Sequence, residues 1–237
     1  MSSPRPHAPL KEQIDFVERF LVLEPRSRVL DLCCGSGRRT LELARRGHRV
    51  LGVDPDEDAL AAARAAAKGE RLNVHFMKAD PRAISYRAEF DAVVWLDGAF
   101  GRLPSDRDDL RALECARKAL KPGASLLIDT LNKEFLMRRF ETGDRLSFDF
   151  ETGRLDDPRA PSSSVRVYAL TELKAQFERS GLSYRRSWGG FDGSAYGLDS
   201  PRLLTLSERP RDERPARRTV VAPDDRLPRT IHIKGRR

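Results

Sequence analysis

Val29-Leu30-Asp31-Leu32-Cys33-Cys34-Gly35-Ser36-Gly37 is the stretch from which the fold is read. An apolar run holding an acid, followed by two glycines one residue apart, predicts a strand that turns sharply into a helix. Seventeen residues past Gly37 a second apolar run, Val50-Leu51-Gly52-Val53-Asp54, ends in another acid. A nucleotide-like cofactor suits this spacing. Glycines let its tail lie against bare backbone, and the second acid can hold two ribose hydroxyls.

Outward from that stretch, strands and helices alternate. Upstream, Ile14, Phe16, Val17, Phe20 and Leu21 recur near helical spacing until Pro25. Residues 28–32 read as a buried strand and 37–46 as a helix stopped by Gly47. Residues 49–53 are the next strand. Asp56 caps an alanine-rich helix that Gly69 stops. Strands follow at 73–77 and 90–96, joined by a short connection. A helix over 105–120 ends at Lys121-Pro122-Gly123, and 125–129 is a fifth strand. This order predicts an α/β fold, a doubly wound parallel sheet with helices on both faces.

Past Asp129 the pattern loosens. Residues 131–140 read as a short helix. Residues 146–150 alternate, 158–164 read as a polar loop, and 165–168 as a short return strand. Residues 170–179 form a helix with Thr171 as cap and Gly181 as stop. Two final strands, 182–188 and 203–206, flank a glycine-rich stretch over 189–197. The expected organisation is a leader over 1–9, one domain over 10–208 with an insert at about 141–168, and a basic disordered tail over 209–237.

Composition narrows the class. Hydrophobic residues make up 39% and charged residues 34% of the 237. The tail from Arg209 holds ten Lys/Arg and four Asp/Glu, so six of the eight net positive charges fall there. The body is nearly balanced and does not read as a nucleic-acid binder. Cys33 and Cys34 are neighbours, Cys115 is distant, and no Cys/His spacing suits zinc. The first residues lack a signal-peptide core, and no apolar run approaches the ~20 residues of a membrane span. A cytoplasmic location is expected, with no membrane partner.

The cofactor is narrowed by two departures from a dinucleotide fingerprint. Thr40 stands where a third glycine belongs, and Asp31 sits inside the first strand. Asp31 can attract an ammonium, and Arg38 and Arg39 an anionic tail. An amino acid joined to a ribose describes S-adenosylmethionine.

These motifs, with Ala79-Asp80, Phe90-Asp91-Ala92-Val93-Val94 and Leu120-Lys121-Pro122-Gly123-Ala124-Ser125-Leu126-Leu127-Ile128, resemble the ordered motifs of class I S-adenosylmethionine-dependent methyltransferases. The resemblance spans residues 10–130. The later Trp188-Gly189-Gly190-Phe191-Asp192-Gly193-Ser194 is similar to loops of bacterial small-molecule members. Ala124 departs from a glycine common in the family. The resemblance implies a seven-stranded Rossmann-like sheet with its last strand antiparallel. It also implies that Asp54 binds the ribose and Asp80 the adenine amino group. The expected cofactor set is Asp31, Cys33, Gly35, Ser36, Gly37, Arg38, Asp54, Pro55, Asp80, Pro81 and Trp95.

The acceptor should meet the methyl group after the fourth strand, at Trp95-Leu96-Asp97-Gly98-Ala99-Phe100. Enzymes that methylate base amino groups carry an acid or amide, two prolines and an aromatic there. The missing prolines argue against that activity. Asp97 stands as a substrate ligand or general base, or as a solvated turn acid. Asp192 and Tyr196 stand as acceptor-side residues, and Tyr168, Trp188 and Phe191 as a pocket roof or as core. The expected function is methyl transfer from S-adenosylmethionine to a small molecule. The alternatives are an RNA or protein methyltransferase gripping through the basic tail, and a non-catalytic S-adenosylmethionine-binding module.

Overall fold

The computed structural model describes residues 8–139, 147–157 and 160–211. The expected leader up to residue 7, the start of the insert and the tail from residue 212 lie outside the described residues. The elements are α1 (Leu10–Phe20), β1 (Arg28–Leu32), α2 (Arg38–Arg45), β2 (Arg49–Asp54), α3 (Glu57–Gly69), β3 (Val74–Lys78), β4 (Phe90–Trp95), α4 (Asp106–Ala119), β5 (Leu120–Leu131) and α5 (Lys133–Arg139). After these come β6 (Ser147–Asp149), β7 (Arg154–Asp157), β8 (Ala160–Arg166), α6 (Leu170–Ser180), β9 (Ser183–Trp188) and β10 (Arg202–Glu208).

Seven strands make one sheet in the order β3-β2-β1-β4-β5-β10-β9. β1 pairs parallel with β2 and β4, while β10 runs antiparallel to β5 and β9. The expected seven-stranded sheet with an antiparallel last strand is therefore present. Alternating side chains feed two cores, because successive strand residues point to opposite faces. Val29, Val50, Ala92, Val94, Leu127 and Leu204 pack with Ile14, Phe16 and Val17 of α1 and Leu43 of α2. Leu30, Val53, Val93, Trp95, Ile128 and Leu203 pack with Leu113 of α4 and with Leu173 and Phe177 of α6. Each fully buried aliphatic side chain contributes roughly 1.5–3 kcal/mol, so the runs that marked the strands are also what hold the sheet.

Local signals place several helix ends. Asp56 caps α3 by accepting from the Asp58 and Ala59 N–H groups at 2.9 and 3.2 Å. Gly181, at φ 78°, ends α6. Thr171, by contrast, is not the cap of α6. That position is Ala169, whose N–H donates to Glu172 Oε2 at 2.7 Å, so the glutamate three residues on does the capping.

Two expectations are corrected. The fifth strand, expected over 125–129, is longer: β5 starts at Leu120, directly after α4, so Lys121-Pro122-Gly123 marks the helix end as expected but is itself part of the strand. It lies within β5, where the register jumps from Phe90 opposite Leu120 to Ala92 opposite Ser125, a bulge that accommodates the proline. The polar loop expected over 158–164 is largely strand: β8 starts at Ala160 and pairs antiparallel with β7, while β6 pairs with the other edge of β7. A serine-rich strand has no apolar alternation to announce it, and backbone pairing makes it. The small sheet docks on the loop after β4. The Arg166 N–H donates to the Gly101 carbonyl at 2.7 Å, and Arg154 Nη2 donates to the Leu103 carbonyl at 3.3 Å.

That docking leaves no room at Gly101, where a Cβ would run into the Arg166 carbonyl oxygen. Gly101→Ala is expected to cost on the order of 1–3 kcal/mol through overpacking, measured as a lowered urea midpoint at constant slope. Unchanged stability would show that the insert does not press on this loop.

Candidate functional site

Strand order reverses between β1 and β4, and ligands of open α/β sheets bind beyond the carboxyl ends of the strands at such a point. The loop from Cys33 to Gly37 leaves β1 there. Its Cys34 N–H donates to the Val53 carbonyl at 3.1 Å, and its Gly37 N–H to the Cys34 carbonyl at 3.0 Å. Asp54, buried at the end of β2, ties the loop down. Its Oδ2 accepts from the Gly35 N–H at 2.8 Å and its Oδ1 from the Asp56 N–H at 2.9 Å. Each of those oxygens keeps a lone pair for a further donor.

The two glycines do different work. A Cβ on Gly35 would meet nothing within 4 Å, so this residue presents bare backbone to open space. Gly37, at φ 74°, is packed from behind: a Cβ there would lie 2.8–2.9 Å from the Phe76 ring and Ala63. Gly37 therefore lets the loop close onto β3 and α3, and Gly35 provides the cradle.

Asp31 is buried one turn below. Thr40 Oγ1 donates to its Oδ2 at 2.6 Å. Burial raises its pKa to about 6, only partly offset by that hydrogen bond and by Arg39. A carboxylate kept short of solvation is one that an incoming ammonium would stabilise. The neighbouring arginines separate. Arg38 is exposed, whereas Arg39 is buried and donates to Gln13 Oε1 at 2.7 Å while its Nη2 lies 3.1 Å from Asp97.

Asp80 is half-buried at the end of β3 and is claimed by Arg82. The guanidinium reaches both carboxylate oxygens, with Nε 2.9 Å from Oδ1, and holds the Asp80 carboxyl below its ordinary range. Arg82 also reaches Asp108 at 2.7 Å. Any donor from adenine must share Asp80 with this arginine. Ser36 and Pro55 are exposed at the rim, and Pro81 is buried. Burial pushes the half-buried Cys33 thiol up to about 12, which leaves it neutral. Trp95 is wholly buried, edge-on to Phe100 at 5.0 Å, and forms the floor beneath the site.

Beyond β4, Asp97 adopts φ 68° with its side chain about half exposed. Asp129, at 0% exposure, holds this bend: it accepts the Asp97 N–H at Oδ2 (3.0 Å) and the Gly98 N–H at its carbonyl (3.1 Å). Arg202 neutralises Asp129 through a two-pronged ion pair, with Nε 2.7 Å from Oδ1. Asn132, also fully buried, donates to the Gly197 and Ser200 carbonyls at 2.9 and 2.8 Å and so binds the 189–200 loop to the end of β5. Tyr196 joins that knot through Glu134 at 2.6 Å and Asn132 at 3.2 Å. Asp192 is exposed and caps a local turn by accepting the Ser194 N–H. Trp188, Phe191 and Tyr168 are core. The first two pack on Phe16 at 5.1 and 5.5 Å, and Tyr168 donates to buried Asp109 at 2.7 Å.

The structure brings the expected Asp31, Gly35, Asp54 and Asp97 to the carboxyl-end side of the sheet. Sequence reading did not point to Gln13, Asp129, Asn132 or Arg202, nor to the hydrogen bond of Thr40 with Asp31. Asp129 had a usable signal: like Asp54, it lies near the end of an apolar strand. Arg202 had none. Among the described residues, no group of three or more His, Cys, Asp or Glu is placed to hold a metal.

A bare Gly35, a buried carboxylate with spare acceptors at Asp54 and an acid under the loop fit a ribose-linked amino acid. Residues 29–123 match the family model described as a methyltransferase domain. A putative methyltransferase, YqeM, of Bacillus subtilis is 31% identical over 229 residues, covering 86% of this chain and 92% of that one. The chain belongs to the class I S-adenosylmethionine-dependent methyltransferases. A ubiquinone biosynthesis O-methyltransferase of Hydrogenovibrio crunogenus is 30% identical over 182 residues, 75% of this methyltransferase and 70% of that protein. The fold is shared with an S-adenosylmethionine-dependent methyltransferase of Clostridium acetobutylicum, at a TM-score of 0.74 and 16% identity over 86% of this chain and 93% of that one.

Because Arg202 is largely enclosed, removing Asp129 strands a buried cation. Asp129→Ala is expected to destabilise the methyltransferase by about 3–5 kcal/mol, read from chemical denaturation. A loss below about 1 kcal/mol would show that the pair is solvated and does not hold the Asp97 bend.

Proposed function

We propose that this methyltransferase methylates a small molecule bearing a hydroxyl group, with Asp97 as the residue that receives it. S-adenosylmethionine supplies a methyl group already activated by its sulfonium. The protein's task is then to place the acceptor in line and exclude water, which in favourable cases supplies on the order of 7–11 kcal/mol. The observation that carries the reading is the bend after β4. Asp97 is the exposed acid of that bend, its backbone is fixed by Asp129, and its side chain is steered by Arg39. The prolines of base-amino methylation are absent. The name of the Hydrogenovibrio relative supports a hydroxyl acceptor.

Around the donor, we assign Asp54 to the ribose hydroxyls, Gly35 to the methionine-derived tail, and Asp31 to the ammonium. Arg38, exposed on the first turn of α2, can meet the tail's carboxylate, whereas Arg39 is already engaged. Asp80 takes the adenine amino group only as Arg82 yields one of its contacts. Asp97 accepts a hydrogen bond from the acceptor hydroxyl and takes its proton as the oxygen attacks.

The test is methyl transfer to a panel of hydroxylated aromatic and aliphatic small molecules, with RNA and protein as comparison arms. Asp97→Asn is expected to lower kcat by about 10²-fold or more while leaving the dissociation constant for S-adenosylhomocysteine within about twofold. Turnover confined to RNA or protein would refute the small-molecule reading. Full activity in Asp97→Asn would remove Asp97 from the chemistry.

Asp31 gives a separate pH signature. Its carboxyl titrates near 6 in the free protein, and a bound ammonium favours the ionised form. Donor affinity is therefore expected to fall as pH drops through about 6, with Asp31→Asn flattening the profile. The same shift makes folding less favourable as pH rises from about 4 to 6, because the native state holds the proton longer than the unfolded chain. A pH-independent affinity between 5 and 8 in the wild-type protein would take Asp31 out of the tail contact.

A further inference from the structure

The opposite end of the sheet, at the amino ends of β1, β2 and β3, carries a groove that methyl transfer does not use. Among the described residues no helix lies between β3 and β4, so the stretch from Ala79 to Glu89 crosses as a loop and leaves part of one sheet face uncovered. A cavity of about 380 Å³ opens there. Leu51 and His75, opposite each other in the β2–β3 register, line it together with Tyr86 and Phe90, whose rings meet edge to face at 5.2 Å. Arg28 and Arg49 also line it.

The cations are unequal. Arg28 is committed, paired with Glu89 at 3.1 Å and lying over the Phe90 ring at 5.4 Å. Arg49 is exposed, and among the described residues no carboxylate pairs with it. A second cavity of about 270 Å³ shares Arg49 and Asn73 with the first and adds Arg26 and His48. Arg26 is likewise exposed without a carboxylate partner among the described residues. The His48 ring has only 4% of its side chain exposed. Its Nε2 is 3.0 Å from Glu18, and its Nδ1 is buried with no partner among the described residues.

We propose that these adjoining cavities form a second ligand site, distinct from the donor site, for a small aromatic anion: a ring carrying a phosphate or carboxylate. Tyr86 and Leu51, both partly exposed, offer a ring its apolar surface, with the buried Phe90 backing Tyr86. Arg49 and Arg26 offer an anion two exposed guanidinium groups that have no carboxylate partner among the described residues, the residue type suited to planar oxyanions. The site lies at the amino ends of the parallel strands and the glycine loop at their carboxyl ends, so occupancy of one need not displace the other.

Calorimetry on the full chain tests this, with phenyl phosphate and benzoate as probes and inorganic phosphate as the ring-free control. The expected result is one site for an aromatic probe, unchanged by saturating S-adenosylhomocysteine and weakened about tenfold or more in Arg49→Gln. Phenyl phosphate binding without benzoate marks a phosphate ligand, and the reverse a carboxylate ligand. Arg49 is a surface residue, so this variant keeps its fold, checked by an unchanged melting temperature. No aromatic probe binding at millimolar concentration overturns the proposal. So does competition by S-adenosylhomocysteine, or undiminished affinity in Arg49→Gln. Inorganic phosphate binding as tightly as phenyl phosphate overturns the aromatic part.

Discussion

One carboxylate joins the two halves of the donor site. Asp54 stands at the end of β2 and grips the Gly35 N–H of the loop that leaves β1. Without that grip, the loop would have only its turn hydrogen bonds and the packing at Gly37 to hold its shape. Hydrogen bonds to a charged acceptor are stronger than neutral ones, and this one is sheltered from water. The same carboxylate also fixes the entrance to α3 through Asp56. On the proposed assignment to the ribose, this geometry is present before any ligand arrives, and this kind of preorganisation limits the ordering cost of binding.

The proposed acceptor side follows the same logic with a different pair of charges. Asp129 and Arg202 neutralise each other inside the protein, and the surplus hydrogen-bonding capacity of the carboxylate fixes the backbone of Asp97, while the Asp129 carbonyl fixes Gly98. A buried ion pair contributes little net stability when compared with apolar residues of the same shape. Here it carries positional information: it holds a non-glycine residue at φ 68° where the exposed acid must point outward. The small sheet of β6 to β8 braces the other end of this loop through Gly101.

Much of the fold was legible because short apolar runs in a βα alternation suit few architectures besides a parallel sheet. Val29 to Leu32, Val50 to Val53 and Ala92 to Trp95 each became a strand, and the acid at Asp54 took its place at the crevice. Less visible was anything that depends on a partner far along the chain. Arg202 is 73 residues from Asp129, and no spacing rule connects them. Asp80 looked available in the sequence because Arg82, two residues on, gave no sign that it would fold back onto it. Gly35 and Gly37 look equivalent as letters, and only the position of Phe76 tells the cradle from the packing contact. The aromatics at 168, 188 and 191 were ambiguous between roof and core, and the apolar face of α1 settled two of them as core.

Arg202 opens β10, the last strand of the described chain, and β10 is inserted between β5 and β9. During synthesis, β1 to β4 and the glycine loop exist long before Arg202 leaves the ribosome. Until it does, Asp129 has no counter-charge, and the bend bearing Asp97 has no fixed backbone. The proposed acceptor side is therefore the part of the site whose backbone is fixed last. A chain truncated before residue 202 would lose that counter-charge together with Leu203 and Leu204, one from each of the two cores.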